Sequence, residues 1–166
     1  EAFLAKAEGE IRAAKEAGFN VLVSLGYSPR WAARKTDGVR GGNYVARDLR
    51  DWQYFVAVVA GRLGDSADAY RIMNEVNHQW DTGSQPQEYA QFLKSAFATI
   101  KAIRPSSTVV MAGVSGTPGG YLQEIFRAGA GDSFDVAACQ PYVHGRKGPE
   151  EGRLVDRLRA YRMVLA

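Results

Sequence analysis

The sequence predicts an α/β fold in which parallel strands and helices alternate. Three observations support this prediction: short apolar runs alternate with segments of helical periodicity, little chain separates them, and Gly or Pro stands at several junctions. Strands that alternate with helices form parallel sheets with right-handed crossovers. The 166 residues, 46% of them hydrophobic and 11% aromatic, suffice for a packed core. We therefore treat residues 1–166 as one domain.

The helical segments carry apolar residues at intervals of three and four. In the first of them Leu4 and Ile11 share a face, and Gly18 ends the helix. A later helix opens with Ser84–Gln87, which has the pattern of a capping box. The predicted helices cover about 2–17, 47–63, 84–103, 122–126 and 153–166.

The strand segments are short and almost wholly apolar. Val21–Leu25 is a run of the kind expected when both faces of a parallel strand are buried. The second run, Ala69–Met73, leads directly into Asn74 and Glu75. The four predicted strands are 21–25, 69–73, 109–112 and 136–139. The predicted order of elements is therefore α(βα)4, with about four strands.

Composition and charge exclude several classes of partner. The net charge of +3 comes from 21 basic and 18 acidic residues spread along the chain, so we expect no nucleic-acid partner. We expect no membrane span, because the apolar runs are too short. Cys139, the single cysteine, excludes an internal disulfide and is expected to be buried. We predict no metal and no cofactor. The compartment stays open, and a secreted or periplasmic location is compatible with the sequence.

The strand ends distinguish an open doubly wound sheet from an arc of a barrel. No strand is followed by Gly-x-Gly-x-x-Gly, and the cluster Gly116–Gly120 lacks the Lys and Ser/Thr of a phosphate loop. Active sites of α/β barrels lie at the carboxyl ends of the strands. Polar and aromatic residues follow three of the four predicted strands: Tyr27, Ser28 and Trp31, then Asn74 and Glu75, then Gln140 and Tyr142. This distribution favours part of a (β/α)8, or TIM, barrel.

Four stretches in matching order resemble clan A glycoside hydrolases. Tyr70–Asn77 is similar to their "W-E-I-W-N-E-P-N" signature at the end of strand four. Ser28–Ala32 resembles the "T-P-x-W-A" that follows strand three in family 39-like and related members. Trp52–Asp65 resembles the helix before strand four, and Phe134–Tyr142 resembles the strand-six segment "F-D-V-V-A-x-H-P-Y". The resemblance extends over nearly the whole chain, and cellulase-like members of the clan share it.

The resemblance implies a retaining glycosidase that acts on β-linked saccharides. Members are (β/α)8 barrels with catalytic glutamates on strands four and seven. Aligned in this way, the chain covers strand three to the helix after strand six, so strands one, two, seven and eight are absent. The nucleophile would then lie beyond Ala166. We expect the 166-residue chain to be inactive without the remainder of the barrel.

The same resemblance assigns roles to individual residues. Glu75 would be the general acid and base of a double displacement, and Asn74 would bond the sugar 2-hydroxyl. Tyr142 would lie near the nucleophile and help to orient it. The remaining candidates for contact with an oligosaccharide, a polysaccharide or a glycoside are Trp31, Trp80, His78 and Gln140.

Two other functions remain open on the sequence. Val76 stands where the family usually has Pro, and Gln140 stands where many members have His. These departures are compatible with a non-catalytic carbohydrate-binding barrel. The third hypothesis is an interaction unit that pairs with a second half through its open strand edges, Val21–Leu25 and Val136–Cys139. It predicts that the isolated chain associates.

Overall fold

The structure, a computed structural model, describes residues 2–35, 37, 44–77, 85–117, 119–141 and 151–165. The elements follow the predicted alternation closely. They are α1 (Ala2–Glu16), β1 (Leu22–Leu25), α2 (Leu49–Leu63), β2 (Ala69–Ile72), α3 (Pro86–Ile103), β3 (Thr108–Val110), β4 (Val114–Ser115), α4 (Gly119–Arg127), β5 (Cys139–Gln140) and α5 (Glu151–Val164). Short 3-10 helices at Arg30–Ala32 and Gly64–Ser66 follow β1 and α2.

The strands pair in the order in which they occur along the chain. β1, β2 and β3 form one parallel sheet in that order, with Leu22 beside Ala69 and Ala69 beside Thr108. β4 and β5 form a second parallel pair. Parallel bridges from Asn74 to Gly113 and from Val110 to Val136 continue the pairing between these groups.

The helices also pack in chain order, α1 on α2, α2 on α3, α3 on α4 and α4 on α5. Right-handed crossovers between strands in sequential order place every helix on the same face of the sheet. A doubly wound sheet would instead reverse its strand order at a switch point. The arrangement is therefore an arc of a barrel whose sheet is not closed.

Local signals fix the ends of α2 and α3. The Asp48 carboxylate caps α2 by accepting a hydrogen bond from Arg50 N at 2.8 Å. Gly64 ends α2 with φ of 52°, a conformation that glycine adopts without steric cost. Gln85, not Ser84, occupies the N-cap position of α3, and its side chain makes no capping bond. The predicted capping box, which needs Ser84 at the N-cap, is therefore wrong, because α3 begins one residue later than the box requires.

The core lies between the helix layer and one face of the sheet. Tyr70 and Ile72 alternate along β2 with the more exposed Ala69 and Arg71, so one face of the strand is fully buried. The indole of Trp52 in α2 is buried among these helices and donates to Phe92 O at 3.1 Å. In the part of the chain that the structure describes, no helix is long and apolar enough to cross a membrane.

The opposite face of the sheet would be the inside of a complete barrel, and here it is partly open. Arg71 of β2 donates from Nε to Ser24 Oγ of β1 at 3.1 Å on this face. Leu22 and Val136 are 50% and 45% exposed. These apolar side chains are the kind that a closed barrel packs into its interior.

Two aspartates at the amino edge of the sheet make the same set of contacts, each with a backbone N–H group and a lysine. The carboxylate of Asp68, just before β2, accepts Val21 N at 2.7 Å and pairs with Lys15 at the end of α1. The carboxylate of Asp135 accepts Val109 N at 2.7 Å and pairs with Lys101 near the end of α3 at 2.8 Å. We call these two groups the amino-edge carboxylates.

The third and fourth predicted strands differ from the structure. The predicted strand 109–112 stops at Val110 and pairing resumes in β4, because Ala112 N bonds a tyrosine hydroxyl instead of a neighbouring strand. The predicted strand 136–139 shortens to β5 at Cys139–Gln140, with Val136 as a single bridge. Cys139 is half-buried rather than buried, and this partial burial raises the pKa of its thiol.

Candidate active site

The turn at residues 72–77 leaves the central strand, β2, at its carboxyl edge. Met73 and Glu75 have φ of 63° and 44°, so two non-glycine residues adopt the left-handed conformation. Such conformations cost free energy in L-residues and persist only where the surroundings impose them. The turn therefore holds Glu75 in a backbone geometry that its own sequence does not favour.

Backbone N–H groups of the turn bond to both neighbouring strands. Met73 N donates to Leu25 O at 2.8 Å, at the end of β1. Glu75 N donates to Gly113 O at 3.0 Å, just before β4. The turn is thus anchored on either side by the segments that flank β2 in the sheet.

Tyrosine hydroxyls bond the intervening carbonyl groups. Tyr89 of α3 donates to Ile72 O at 3.0 Å and accepts from Ala112 N at 2.7 Å. Tyr27, in the loop after β1, donates to Asn74 O. Tyr121 of α4 donates to Val76 O at 3.4 Å. We call these three side chains the tyrosine tethers.

Asn74 and Gln140 are brought together from β2 and β5. Gln140 donates from Nε2 to Asn74 Oδ1 at 3.0 Å. Gly113 lies against this pair, since a Cβ at Gly113 would stand 3.4 Å from Gln140 Cγ and 3.5 Å from Asn74 Oδ1. These are ordinary van der Waals distances, so the backbone at Gly113 packs directly against the two amide side chains and would also accept an alanine.

Asn77, at the end of the turn, bonds to β4 through its side chain in the way that a neighbouring strand would through its backbone. Its side chain donates from Nδ2 to Ser115 O at 3.0 Å and accepts Ser115 N at its Oδ1 at 2.8 Å. This reciprocal pair resembles the bonds between two strands, so Asn77 has a structural role on β4. Val76, between Asn77 and Glu75, is fully buried.

Burial and charge determine the electrostatics of the tethers. Burial raises the pKa of Tyr27, and the nearby charge of Glu75 raises it further, whereas its bond to Asn74 O and the charge of Arg71 lower it. Burial also raises the pKa values of Tyr89 and Tyr121. All three phenols are therefore neutral at physiological pH and remain hydrogen-bond donors.

Trp31 lies in the short 3-10 helix after β1 and is 81% exposed. With Tyr27, Tyr54 and Phe55 it lines an apolar groove of about 360 Å³ between the loop after β1 and α2. Tyr27 connects the two features, because it lines this groove and bonds to Asn74 O. An exposed indole beside such a groove is available for stacking.

The structure brings two of the predicted site residues into contact. Asn74 and Gln140 share a hydrogen bond at the carboxyl edge of the sheet, Glu75 follows Asn74 in the turn, and Trp31 lines the groove that Tyr27 also lines. His78, Trp80 and Tyr142 lie outside the described residues. Among the described residues, no group of three or more His, Cys, Asp or Glu side chains could hold a metal ion.

The sequence analysis missed the tyrosine tethers as a group. Tyr27 follows a predicted strand, which is a usable signal, but Tyr89 and Tyr121 occupy helices. Their hydroxyls reach carbonyl groups 17 and 45 residues away in sequence. Helical periodicity predicts only that such residues are buried.

Three solved structures similar to this chain are glycoside hydrolases. The GH53 catalytic domain from Ignisphaera aggregans has 24% sequence identity and a TM-score of 0.56, over 82% of this chain and 41% of that one. A monomeric β-xylosidase from Caulobacter crescentus CB15 has 17% identity and a TM-score of 0.65, over 86% and 34%. A psychrophilic glycoside hydrolase family 10 endo-β-1,4-xylanase has 13% identity and a TM-score of 0.67, over 96% and 56%.

These comparisons confirm the predicted fold class. The chain has an α/β fold of parallel units that forms part of a (β/α)8 barrel, as found in glycoside hydrolases. The chain spans 34% to 56% of the length of the three structures. No family model matches the sequence, and no curated protein matches it.

Proposed function

We propose that this chain contributes the acid/base half of a retaining glycoside hydrolase that acts on β-linked saccharides. The observation that carries the proposal is the position of Glu75. It follows the central strand at the carboxyl edge, next to Asn74, in a fold shared with glycoside hydrolases. Catalytic residues of (β/α)8 barrels occupy such strand ends.

Retaining hydrolysis needs two carboxyl groups. One protonates the departing glycosidic oxygen, and the other, about 5–5.5 Å away, attacks the anomeric carbon. Glu75 takes the first role and, in the second step, acts as base towards water. The resemblance assigns the nucleophile to strand seven of the barrel, for which residues 1–166 contain no matching motif. The proposed enzyme is therefore the complete barrel.

Asn74 and Gln140 supply polar contacts beside Glu75. Gln140 holds Asn74 Oδ1, which leaves the Asn74 amide nitrogen as the group to offer a sugar 2-hydroxyl. Trp31 would stack on the apolar face of a more distant sugar ring. Tyr142, Trp80 and His78 complete the proposed substrate-binding set.

Glu75→Gln in the full-length protein tests the mechanism. Aryl β-xylosides are suitable probes, because two of the similar structures are a β-xylosidase and a xylanase. A phenyl leaving group needs protonation and a dinitrophenyl group does not, so we expect roughly a thousandfold loss for phenyl β-xyloside, within the usual contribution of acid catalysis. Dinitrophenyl β-xyloside should be cleaved in the first step nearly as fast as by wild type.

Glu124→Gln is the matched control for this experiment. Glu124 is a carboxylate on α4 that pairs with Arg127, so its amide variant should leave both substrates unaffected. Equal loss on the two substrates in Glu75→Gln would show that Glu75 is not the general acid.

A non-catalytic carbohydrate-binding barrel is the second candidate, and the Gln140 departure favours it. Gln140 replaces an ionisable side chain with an amide that can only form hydrogen bonds. Calorimetry with xylo-oligosaccharides distinguishes this function: binding without turnover, unchanged in Glu75→Gln, would support it. The Val76 departure argues less strongly, because Tyr121 and Asn77 fix the turn where the family uses Pro.

The interaction-unit hypothesis rests on the open face of the arc. Leu22 and Val136 expose apolar surface there, and β1 is an edge strand. We expect residues 1–166 expressed alone to associate, as measured by light scattering. A stable monomer at micromolar concentration would contradict both this hypothesis and the incomplete-barrel interpretation.

A further inference from the structure

The turn that carries Glu75 has an alternating pattern of hydrogen bonds. The N–H groups of Met73 and Glu75 bond to the strands on either side. The carbonyl groups of Ile72, Asn74 and Val76 bond to tyrosine hydroxyls. Where regular strand pairing ends, tyrosine hydroxyls thus replace the neighbouring strand as hydrogen-bond partners of every second carbonyl group.

We propose that Tyr27, Tyr89 and Tyr121 are positioning residues that fix the Glu75 carboxyl group for proton transfer. This inference rests on the proposed function, since it assigns the tethers to the acid/base step. The tethers do not contact the reacting atoms. They act through the backbone on both sides of Glu75.

Backbone conformation explains why the turn needs tethers. A left-handed Glu75 would relax to an ordinary conformation if its neighbours were free to move. Tyr27 holds the carbonyl group of the residue before Glu75, Asn74, and Tyr121 holds the carbonyl group of the residue after it, Val76. The backbone is therefore held on both sides of the residue that carries the carboxyl group.

The tethers come from three separate parts of the fold. Tyr89 and Tyr121 project from α3 and α4, and Tyr27 comes from the loop after β1. That loop is itself held, because Arg34 pairs with Glu88 of α3, and Ser28 N donates to Tyr44 O at 2.9 Å. Catalytic groups must be held within about half an ångström by supporting contacts.

A phenol suits this task better than a charged side chain. Lys or Arg donors beside Glu75 would favour its ionised form and so weaken it as an acid. A buried phenol donates an equally directed hydrogen bond and carries no charge at neutral pH. The turn is thus held without a fixed positive charge from the tethers.

Hydrogen exchange in the full-length protein tests the tethering directly. Tyr27→Phe and Tyr121→Phe each delete one hydroxyl, and a mass-spectrometric readout covers the amides of Met73 and Glu75. We expect these amides to exchange about fivefold to tenfold faster, the factor that corresponds to losing one hydrogen bond. Tyr161→Phe is the matched control, because that hydroxyl bonds Ala138 O in another segment.

Leaving-group dependence tests the catalytic consequence. In Tyr27→Phe and Tyr121→Phe we expect kcat for phenyl β-xyloside to fall about fivefold to tenfold, with KM unchanged. Dinitrophenyl β-xyloside, which needs no proton, should be cleaved at the wild-type rate. In Tyr161→Phe, any change in kcat should be the same for both substrates, because a merely structural effect does not depend on the leaving group.

The outcomes separate this inference from the proposed function. Unchanged exchange at Met73 and Glu75 in both tether variants overturns the tethering. Faster exchange with equal effects on both substrates overturns its catalytic role. If Glu75→Gln itself shows no leaving-group dependence, the proposed function fails, and the exchange measurement still decides whether the hydroxyls fix the turn.

Discussion

The two edges of this sheet are held by different chemistry. At the amino edge, Asp68 and Asp135 use one motif twice, in which a carboxylate accepts a strand N–H and pairs with a lysine. At the carboxyl edge, neutral hydroxyl and amide groups bond the backbone of the turn at residues 72–77. Charged groups thus hold the amino edge, whereas uncharged groups hold the turn that carries a titratable side chain.

The difference between the two edges shows where this fold places charged groups. The amino-edge carboxylates are partly exposed, so their ion pairs are screened and contribute modestly. At the carboxyl edge the groups that bond the backbone of the turn are neutral, and the charges of Arg71 and Glu88 act on Tyr27 and Tyr121 from further away. The proposed active site lies at the carboxyl edge, where catalytic residues of (β/α)8 barrels occur.

The largest effect expected from this comparison concerns Tyr89. Tyr89→Phe leaves Ile72 O and Ala112 N buried without their partner. We expect the free energy of unfolding to fall by roughly 2–4 kcal/mol, as measured by urea denaturation, because each unsatisfied buried group is costly.

Tyr70→Phe is the control for Tyr89→Phe. Both hydroxyls are buried, but that of Tyr70 has no hydrogen-bond partner among the described residues. Its removal takes away a buried polar group that has no partner, so the free energy of unfolding should stay the same or rise by about 1 kcal/mol. Equal losses in the two variants would show that the tether bonds contribute nothing beyond the ring.

Asn77 provides the next largest effect. Asn77→Ala removes both bonds to Ser115 and should lower the free energy of unfolding by about 1–2 kcal/mol. Asn77→Asp keeps the acceptor for Ser115 N and loses the donor, so its stability should be intermediate. If Asn77→Asp were as stable as wild type, the whole loss of stability in Asn77→Ala would be due to the bond that Asn77 Oδ1 accepts from Ser115 N.

The stabilising interactions at the two edges should also be lost at opposite ends of the pH range. Lys15 and Val21 N lower the pKa of Asp68, and Lys101 and Val109 N lower that of Asp135 against the opposing effect of burial. Their stabilisation is present above the unfolded pKa of about 3.9 and is lost as the pH falls through the lower folded value. Asp68→Asn with Asp135→Asn should therefore flatten the acid limb of the stability curve.

The tethers contribute to the alkaline limb together with Tyr70 and Tyr161, whose pKa values burial also raises. Burial raises the pKa of Tyr27, so its contribution is complete below the unfolded pKa of about 10 and is lost as the pH rises towards the folded value. Tyr27→Phe should flatten this limb and leave the acid limb as in wild type. Thermal unfolding from pH 3 to pH 11 follows both limbs, and a change in the acid limb would contradict the separation of the edges.

The smallest expected effect concerns the left-handed backbone of Glu75. Asn tolerates this conformation better than Gln, so Glu75→Asn should be more stable than Glu75→Gln by roughly 0.5–1 kcal/mol. Differential scanning calorimetry of the two variants measures it. Equal stability would mean that the turn stores no strain at this residue.

The sequence predicts more of this fold than of its candidate site. Alternating segments place β2 and the pair Asn74–Glu75 within a residue or two of their observed bounds, because hydrophobic periodicity is a local signal. The break between β3 and β4 could not be predicted in this way, since a hydroxyl on α3 imposes it at Ala112. The Asn77–Ser115 pair spans 38 residues and has no local signature either.

The candidate turn belongs to the middle of a nearly linear array. The strongest packing joins elements that are consecutive in their layer, above all α2 with α3 and β1 with β2. Such arrays open from their ends, because a terminal unit has a single neighbour to hold it. In residues 1–166 expressed alone, we therefore expect the carboxyl end of β2 to be among the last parts to unfold and α5 among the first.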